Sequence, residues 1–257
     1  MPGNEKAITK YLLQNKNKIT LHHLGVVNSV GAPGCMKGQH IEMNAVSDVD
    51  RLLATQDSRK KADIYVNNHA ISIKQTGSSF LYNRLQRANI LKVFTLLGFS
   101  NPESMLQRLD KEVLDFHKGN LTRRNRPWQD FFNEAEFKAL VKFLMLQGSP
   151  NVGFSSHPAE FVLEAPANNP SETNINVFTF DEYFEEYKNK IKIAIRRQWV
   201  GQASGSEHGR AVGLARKREN APWVLNGAVG TPRSGWIRDF PASERKTVYF
   251  LMLEKER

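Results

Sequence analysis

The sequence predicts an α/β fold, with α+β as the alternative, in which helices flank a mixed β-sheet. Three observations predict this class: a strongly patterned hairpin over residues 61–75, amphipathic segments with helical spacing on both sides of it, and further strand-like segments towards the C-terminus. The chain has 257 residues, 40% of them hydrophobic, which suits one large domain or a domain with a small lobe.

The hairpin at residues 61–75 sorts its side chains onto two faces. Its turn is predicted at Asn67-Asn68, because Asn tolerates the positive φ that a tight turn needs. Side chains alternate along a strand, so a two-residue turn places Asp63 opposite Ser72. The core face would carry the apolar residues Ala62, Ile64, Val66, Ile71 and Ile73. The other face would carry Asp63, Ser72 and Lys74, which brings an acid, a hydroxyl and an amine together.

Helical spacing of apolar residues predicts further helices around the hairpin. They cover residues 4–16, part of 36–55, 80–97, 101–117, 132–147 and 181–199. Short apolar runs predict additional strands at residues 160–164, 175–180, 223–225 and 248–253. Residues 31–34 are predicted to form a turn, and the segment 201–209, rich in Gly and Ser, a flexible loop.

The charge balance points to a polyanionic partner. The chain carries a formal net charge of +10, which favours nucleic acid first and an acidic membrane surface second. Cys35 is the only cysteine, so the sequence excludes disulfides within the chain and zinc sites built on cysteines. There is no apolar run of about 18 residues and no signal-peptide core, so we expect a cytoplasmic protein.

Two histidines, His22 and His23, are adjacent in the sequence. Neighbouring side chains point in different directions, so the two rings are expected to diverge. This favours a surface or core role for the pair over metal binding.

Asp63 is followed, after a gap of eight residues, by Ser72-Ile73-Lys74. This pattern resembles the active-site hairpin of the PD-(D/E)xK nucleases, the restriction-endonuclease superfamily. Two positions depart from the superfamily pattern: Ala62 replaces the proline before the aspartate, and Ser72 replaces the second carboxylate. Some small restriction enzymes that cut four-base sites carry a neutral amide at the second position, and the upstream run 45–50 also resembles that group.

The resemblance implies a restriction-endonuclease-like mixed sheet and Mg²⁺-dependent cleavage of DNA. Asp63 and the main-chain carbonyl of Ile73 would bind Mg²⁺, and Glu42 would be an upstream acid that completes the metal site. Lys74 would orient or activate the attacking water. Two alternatives stay open: an exposed cross-strand ion pair between Asp63 and Lys74, and a solvated Glu42. The candidate catalytic residues are Asp63, Ser72, Lys74 and Gln75.

Basic and polar side chains outside the hairpin are candidates for DNA contacts. Ser78 follows the catalytic strand closely enough to meet a phosphate, and Arg84 and Arg87 would share one face of the helix 80–97. Other basic residues lie in the loop 118–127 and in the C-terminal half, where guanidinium groups suit phosphate and base contacts. The full set is Ser78, Arg84, Arg87, Arg123, Arg124, Arg126, Arg196, Arg197, Arg210, Arg216, Lys217, Arg218 and Arg233.

These features support three functions. The first is a type II restriction endonuclease that cuts double-stranded DNA at a short specific sequence, with a catalytic core over about 20–150 and a DNA-recognition half over 151–257. The second is a non-catalytic DNA-binding protein with a decayed metal site. The third is a structure-specific repair nuclease or Holliday-junction resolvase of the same fold. For the first function we expect Mg²⁺ as the cofactor, a monomer or a homodimer, and the cytoplasm of a prokaryotic cell.

Overall fold

The computed structural model describes residues 4–53, 60–78, 80–118, 120–121, 125–199, 212–213, 216, 218, 225–226 and 246–255. The helices within these residues are α1 (Glu5–Gln14), α2 (Val46–Leu52), α3 (Arg87–Leu96), α4 (Pro102–Lys118), α5 (Glu134–Lys142) and α6 (Phe180–Tyr187). A π-helical segment, Phe143–Gln147, directly continues α5.

The strands of the described chain fall into two larger sheets and two short hairpins. The first ten are β1 (Thr20–Leu21), β2 (Gly25–Val26), β3 (Val30–Pro33), β4 (His40–Glu42), β5 (Ile64–Val66), β6 (His69–Gln75), β7 (Phe80–Gln86), β8 (Asn125–Pro127), β9 (Gly148–Ser149) and β10 (Gly153–Phe154). The remaining strands are β11 (Phe161–Ala165), β12 (Asn176–Thr179), β13 (Ile191–Trp199), β14 (Leu225–Asn226) and β15 (Lys246–Lys255). Helices and a mixed sheet together make the chain an α/β protein, as the sequence predicts.

Two compact units divide the chain differently from the predicted boundary at residue 150. The first unit comprises residues 1–79, 138–190 and 255–257, and the second comprises 80–137 and 191–254. The compact units do not follow that boundary, because β11, which lies after residue 150, pairs with β6 of the hairpin. The first unit therefore takes its strands from both predicted halves.

The first unit is built on a six-stranded mixed sheet with the order β12-β11-β6-β5-β3-β4. The pair β11 and β6 is parallel, and the other neighbours are antiparallel. Ile8 and Leu12 of α1 pack on one face of this sheet, in the same core cluster as Ile64, Ile71 and Leu163. Each fully buried aliphatic side chain of this kind stabilises the fold by about 1.5–3 kcal/mol.

The predicted turn of the hairpin is confirmed, and so is its register from Ile64 to Ile71. Ile64 pairs with Ile71 and Val66 pairs with His69, across a turn in which Asn67 and Asn68 have φ values of 50° and 69°. Two consecutive residues with positive φ are the mark of a type I′ turn, which matches the twist of the flanking strands. The hairpin thus forms where local turn chemistry and apolar alternation agree.

The second unit corrects two predicted helices. Residues 80–86 form strand β7, and only the following segment is the helix α3. The predicted helix over 181–199 ends at Tyr187, and β13 follows it. Both errors have one cause: β7 pairs with β15 and β13 pairs with β8, and these partners lie far away in sequence. Local periodicity cannot reveal such partners.

Other predicted elements agree with the structure to within a few residues. The helix predicted over 101–117 is α4, and the strands predicted over 160–164 and 175–180 are β11 and β12. The turn predicted over 31–34 is wrong, because residues 30–33 form β3 between β4 and β5. The flexible loop predicted at 201–209 lies outside the described residues. No helix in the described ranges is long and apolar enough to span a bilayer.

Candidate active site

Asp63 lies just before β5, where the hairpin pairing becomes irregular. Its N–H donates to the Ile71 carbonyl at 2.8 Å, although Ile71 is already the pairing partner of Ile64. Two consecutive residues therefore oppose a single residue, as in a β-bulge. The extra residue also explains why Ala62 packs with Tyr65 and not in the predicted core set.

The structure brings the three predicted polar side chains of the hairpin together. Asp63 Oδ2 accepts a hydrogen bond from the Ile73 N–H at 2.6 Å and one from the Ser72 hydroxyl at 3.4 Å. Lys74 Nζ donates to the Ser72 Oγ at 2.9 Å. Ser72 is only 1% exposed, whereas Asp63 and Lys74 are half-buried. This face of the hairpin is therefore a semi-buried polar site and not a solvated surface.

The Ile73 main chain is directed towards Asp63. Its N–H donates to the carboxylate, which takes the place that a neighbouring strand would occupy. The N–H and C=O of one strand residue point to the same side, so the Ile73 carbonyl shares this direction. In the described chain both hydrogen bonds to Asp63 reach Oδ2, which leaves Oδ1 for another partner. Carboxylate and carbonyl oxygens are the donors that Mg²⁺ prefers.

The electrostatics of Asp63 favour a cation beside it. Burial raises the pKa of its carboxyl group, while the Lys74 ammonium and the Ile73 N–H hold the rise back. The charge of Glu5, in the first turn of α1, raises the Asp63 pKa further. A bound cation would offset both the burial and the repulsion between the two acids.

Lys61 is a site residue that the sequence analysis missed. Its ammonium donates to the Leu144 carbonyl at 2.6 Å. Burial and the neighbouring charge of Lys74 lower its pKa to about 8, and the Asp63 carboxylate opposes this shift. In sequence Lys61 is one of several basic residues before Asp63, so only the tertiary structure distinguishes it.

Glu42 does not lie where the resemblance places an acid. It belongs to strand β4 and not to a helix, and its carboxylate pairs with Lys16 at 3.2 Å. The acid whose charge acts on Asp63 is Glu5 of α1. Glu42 is thus held by Lys16, and the charge of Glu5 contributes to the raised pKa of Asp63.

A buried carboxylate lies on β11, the strand next to the one that carries Lys74. Glu164 of β11 is in register with Lys74 of β6, on the sheet face opposite the core residue Leu163. Its two oxygens accept hydrogen bonds from Lys255 Nζ and the Tyr187 hydroxyl, each at 2.9 Å. Burial and the Glu164 carboxylate raise the pKa of Tyr187, so its hydroxyl stays a donor. Glu164 therefore holds Tyr187 and Lys255 together within this unit.

The predicted DNA contacts have mixed outcomes. Arg87 forms a two-pronged pair with Asp110, at 2.9 and 3.3 Å, which ties α3 to α4. Arg126 pairs with Glu112 at 2.8 Å and Asp130 at 3.2 Å. Both arginines thus have structural partners within the second unit.

The other predicted contacts differ in how far the structure describes them. Arg84 lies in β7, so it shares no helical face with Arg87. The side chains of Arg84, Arg196 and Arg197 lie outside the described atoms, as do the whole residues Arg123, Arg124, Arg210, Lys217 and Arg233. Gln75, Arg216 and Arg218 are exposed, and Ser78 is half-buried.

Comparison with known proteins adds no assignment: no family model, no curated protein and no solved structure matches this chain. Among the described residues, the one group of three side chains able to hold a metal is His22, His23 and Glu182, and it does not include Asp63. The Asp63 site offers one certain carboxylate and a main-chain carbonyl. Its donors fit Mg²⁺ in kind, but their small number predicts weak metal binding in the absence of DNA.

Proposed function

We propose that the protein is a Mg²⁺-dependent endonuclease that cuts double-stranded DNA at a short specific sequence, as type II restriction enzymes do. The observation that supports this most is the convergence of Asp63, Ser72, the Ile73 main chain and Lys74 at one hairpin edge. The mixed sheet flanked by helices agrees with the fold that the resemblance implies. The net charge of +10 favours a nucleic-acid substrate.

Each side chain has a role in phosphodiester hydrolysis. Asp63 Oδ1 and the Ile73 carbonyl would hold Mg²⁺. When bound, Mg²⁺ would neutralise the developing negative charge and lower the pKa of a coordinated water. Lys74 would orient the attacking water, and the Ser72 hydroxyl fixes the position of the Lys74 ammonium. DNA phosphate oxygens would supply the metal ligands that Ser72 cannot.

Lys61 adds a second positive charge near the reacting phosphate. Its lowered pKa of about 8 allows it to exchange a proton close to neutral pH. In the proposed reaction Lys61 therefore either neutralises the phosphate as an ammonium or passes a proton to the leaving oxygen. A prokaryotic, cytoplasmic enzyme that acts as a monomer or a homodimer completes the proposal.

One observation favours a second candidate, a non-catalytic DNA-binding protein. Ser72 stands where the superfamily pattern has a carboxylate, and its hydroxyl is buried and bonded to both Asp63 and Lys74. A protein that had lost cleavage would retain this closed hydrogen-bond network without needing a metal. DNA binding alone would then be its activity.

The two candidates differ in what happens to DNA when Mg²⁺ is added. The purified chain is incubated with plasmid and long linear DNA, in Mg²⁺ or in EDTA, and the products are resolved on gels. Discrete fragments in Mg²⁺ alone support the restriction endonuclease, and a smear indicates a nuclease without sequence specificity. A gel shift with intact DNA under both conditions would favour the non-catalytic protein.

A further inference from the structure

The two adjacent histidines lie at the centre of a tight turn. The turn joins β1 to β2, and the Leu24 N–H donates to the Leu21 carbonyl at 3.1 Å across it. His23 has a φ of 64°, a left-handed conformation that Gly or Asn adopts more readily.

The turn overturns the expectation that the two rings diverge. The ring centroids of His22 and His23 lie 3.9 Å apart, because a turn, unlike a strand, does not send neighbouring side chains to opposite faces. The His23 ring also stacks on Phe161, with the centroids 5.7 Å apart. The two imidazoles thus form one compact group on the surface of the first unit.

Glu182 of α6 brings a carboxylate to this group. Its Oε2 lies 2.7 Å from His23 Nε2, and the ligand atoms of His22, His23 and Glu182 all lie within 4.8 Å of one another. The same oxygen accepts hydrogen bonds from the Thr179 N–H at 2.8 Å and the Thr179 hydroxyl at 2.9 Å, which fix the position of the carboxylate. Ligand atoms around a tetrahedral zinc ion are about 3.3 Å apart, so small side-chain rotations would close the site.

We propose that His22, His23 and Glu182 form a binding site for a divalent transition metal, with Zn²⁺ as the occupant of choice. Two imidazole nitrogens and one carboxylate suit zinc and not Mg²⁺, which prefers oxygen ligands alone. Zn²⁺ would take the place of the hydrogen bond between His23 Nε2 and Glu182 Oε2, with His23 bound as the neutral ring that carries its proton on Nδ1. The bound ion would fasten the turn between β1 and β2 to the start of α6.

The surroundings leave a fourth coordination position open. His22 and Glu182 line an open pocket of about 660 Å³, together with Phe178, Glu185 and Glu186. The two further carboxylates add negative charge around the ion, which favours a divalent cation at this position. A water molecule in the pocket would complete the tetrahedron.

The test uses the full chain, stripped of metal with EDTA and then dialysed, with ZnCl₂ as the probe. Calorimetric titration should show one Zn²⁺ bound per chain, and the melting temperature should rise with the concentration of free Zn²⁺. Co²⁺ in place of Zn²⁺ should give the visible absorption of a tetrahedral ion. None of these measurements involves DNA, so they are independent of the proposed nuclease activity.

Substitutions at the three side chains test whether they are the residues that bind Zn²⁺. His22→Ala and Glu182→Gln should weaken Zn²⁺ binding by at least about 10–100-fold, the loss that follows even when an outer partner of a metal ligand is removed. The matched control is His69→Ala. His69 pairs with Glu160 at 2.8 Å in the same unit, and this pair belongs to no three-ligand group among the described residues. The control should bind Zn²⁺ like the parent chain.

The proposal is overturned if the parent chain binds no Zn²⁺, or if His22→Ala binds it as tightly as the parent. His22 is exposed, so its replacement leaves the fold intact and decides the question even if Glu182→Gln disturbs the cap of α6. His23→Gly gives an independent check, because glycine fits the left-handed turn position while removing the ring. Loss of the Zn²⁺-dependent rise in melting temperature is expected for this variant.

Discussion

The Lys74 ammonium donates to the Ser72 hydroxyl at 2.9 Å, and the same hydroxyl lies 3.4 Å from Asp63 Oδ2. Ser72 thus connects the lysine to the carboxylate on the neighbouring strand. The alternative of an exposed ion pair between Asp63 and Lys74 does not describe this arrangement, because the hydroxyl between them is buried. In the proposed nuclease, Ser72 takes over a positioning role where the superfamily pattern has a metal ligand.

Ser72→Ala should slow cleavage without abolishing it. The substitution removes the acceptor that holds the Lys74 ammonium, and a hydrogen bond to a charged group contributes about 1.5–3 kcal/mol. Cleavage should therefore fall by roughly 10- to 100-fold. Single-turnover rates on one defined duplex measure this, with Ser104→Ala, at an exposed position of α4, as the control. A loss as complete as that of Asp63→Ala would mean that Ser72 contacts the metal or the phosphate directly.

Above pH 8, the free energy of unfolding of the parent chain should depend on pH through Lys61. The Lys61→Met variant should lose this dependence. The Lys61 pKa is about 8 in the folded chain, against 10.5 ordinarily, so between these values the unfolded chain binds more protons. Stability therefore rises with pH across this window, by up to roughly 3 kcal/mol. The rise begins as Lys61 loses its proton, because burying the charged form is what costs free energy.

Denaturant unfolding of the parent chain and of Lys61→Met at pH 7.5 and 9.5 measures this difference. Lys60→Met is the matched control, since the neighbouring Lys60 bonds to the carbonyls of Pro33 and Gly34 instead of facing Lys74. A parent and a Lys61→Met variant with the same pH dependence would show that Lys61 keeps its ordinary pKa.

Asn67→Ala should destabilise the first unit by about 2–4 kcal/mol. The Asn67 side chain accepts from the N–H groups of Asn28 and Ser29 and donates to the carbonyls of Leu24 and Val26. Its loss removes several hydrogen bonds of about 0.5–1.5 kcal/mol each and leaves alanine in a left-handed conformation.

Asn68→Gly is the matched control for the turn. Asn68 has a φ of 69°, and glycine is preferred at the second position of a type I′ turn. Thermal unfolding of this variant should occur at the parent temperature or slightly above it. Equal losses for Asn67→Ala and Asn68→Gly would contradict the account of the turn.

Replacing Arg216 and Arg218 with Gln should weaken DNA binding on every sequence tested. Both side chains are exposed in a chain with a net charge of +10. Each lost phosphate contact should lower the slope of log affinity against log salt by about one unit. Fluorescence anisotropy at several salt concentrations measures this slope. Lys10→Gln is the control, since Lys10 pairs with Asp50, and an unchanged slope in the arginine variants would exclude them from the DNA contact.

The sequence predicts the hairpin because its information is local. The Asn67-Asn68 pair sets the turn, and apolar alternation sets the register, so Asp63, Ser72 and Lys74 follow without knowledge of the rest of the fold. Strands β7 and β13 were predicted as helices because their partners β15 and β8 are distant in sequence. Local spacing carries no information about such pairings.

The sequence did not reveal the contributions of Lys61 and Glu5, again because they depend on residues that are distant in sequence. Lys61 acquires its low pKa from burial and from Lys74, and the charge of Glu5 in α1 contributes to the raised pKa of Asp63. Glu42 was predicted on a helix, but its segment forms an edge strand of the six-stranded sheet. Proximity in the folded chain, and not residue type, decides which charges share a site.

The cleavage activity of the Lys74→Ala variant is the most direct test of the proposed active site. The variant and the parent chain are compared on the same double-stranded DNA in Mg²⁺, and their affinities for that DNA are measured in Ca²⁺ or EDTA. We expect Lys74→Ala to lose cleavage while its DNA affinity stays close to that of the parent, because affinity comes mainly from phosphate contacts elsewhere. Cleavage by Lys74→Ala at the parent rate would contradict the assignment of the Asp63 hairpin as the active site.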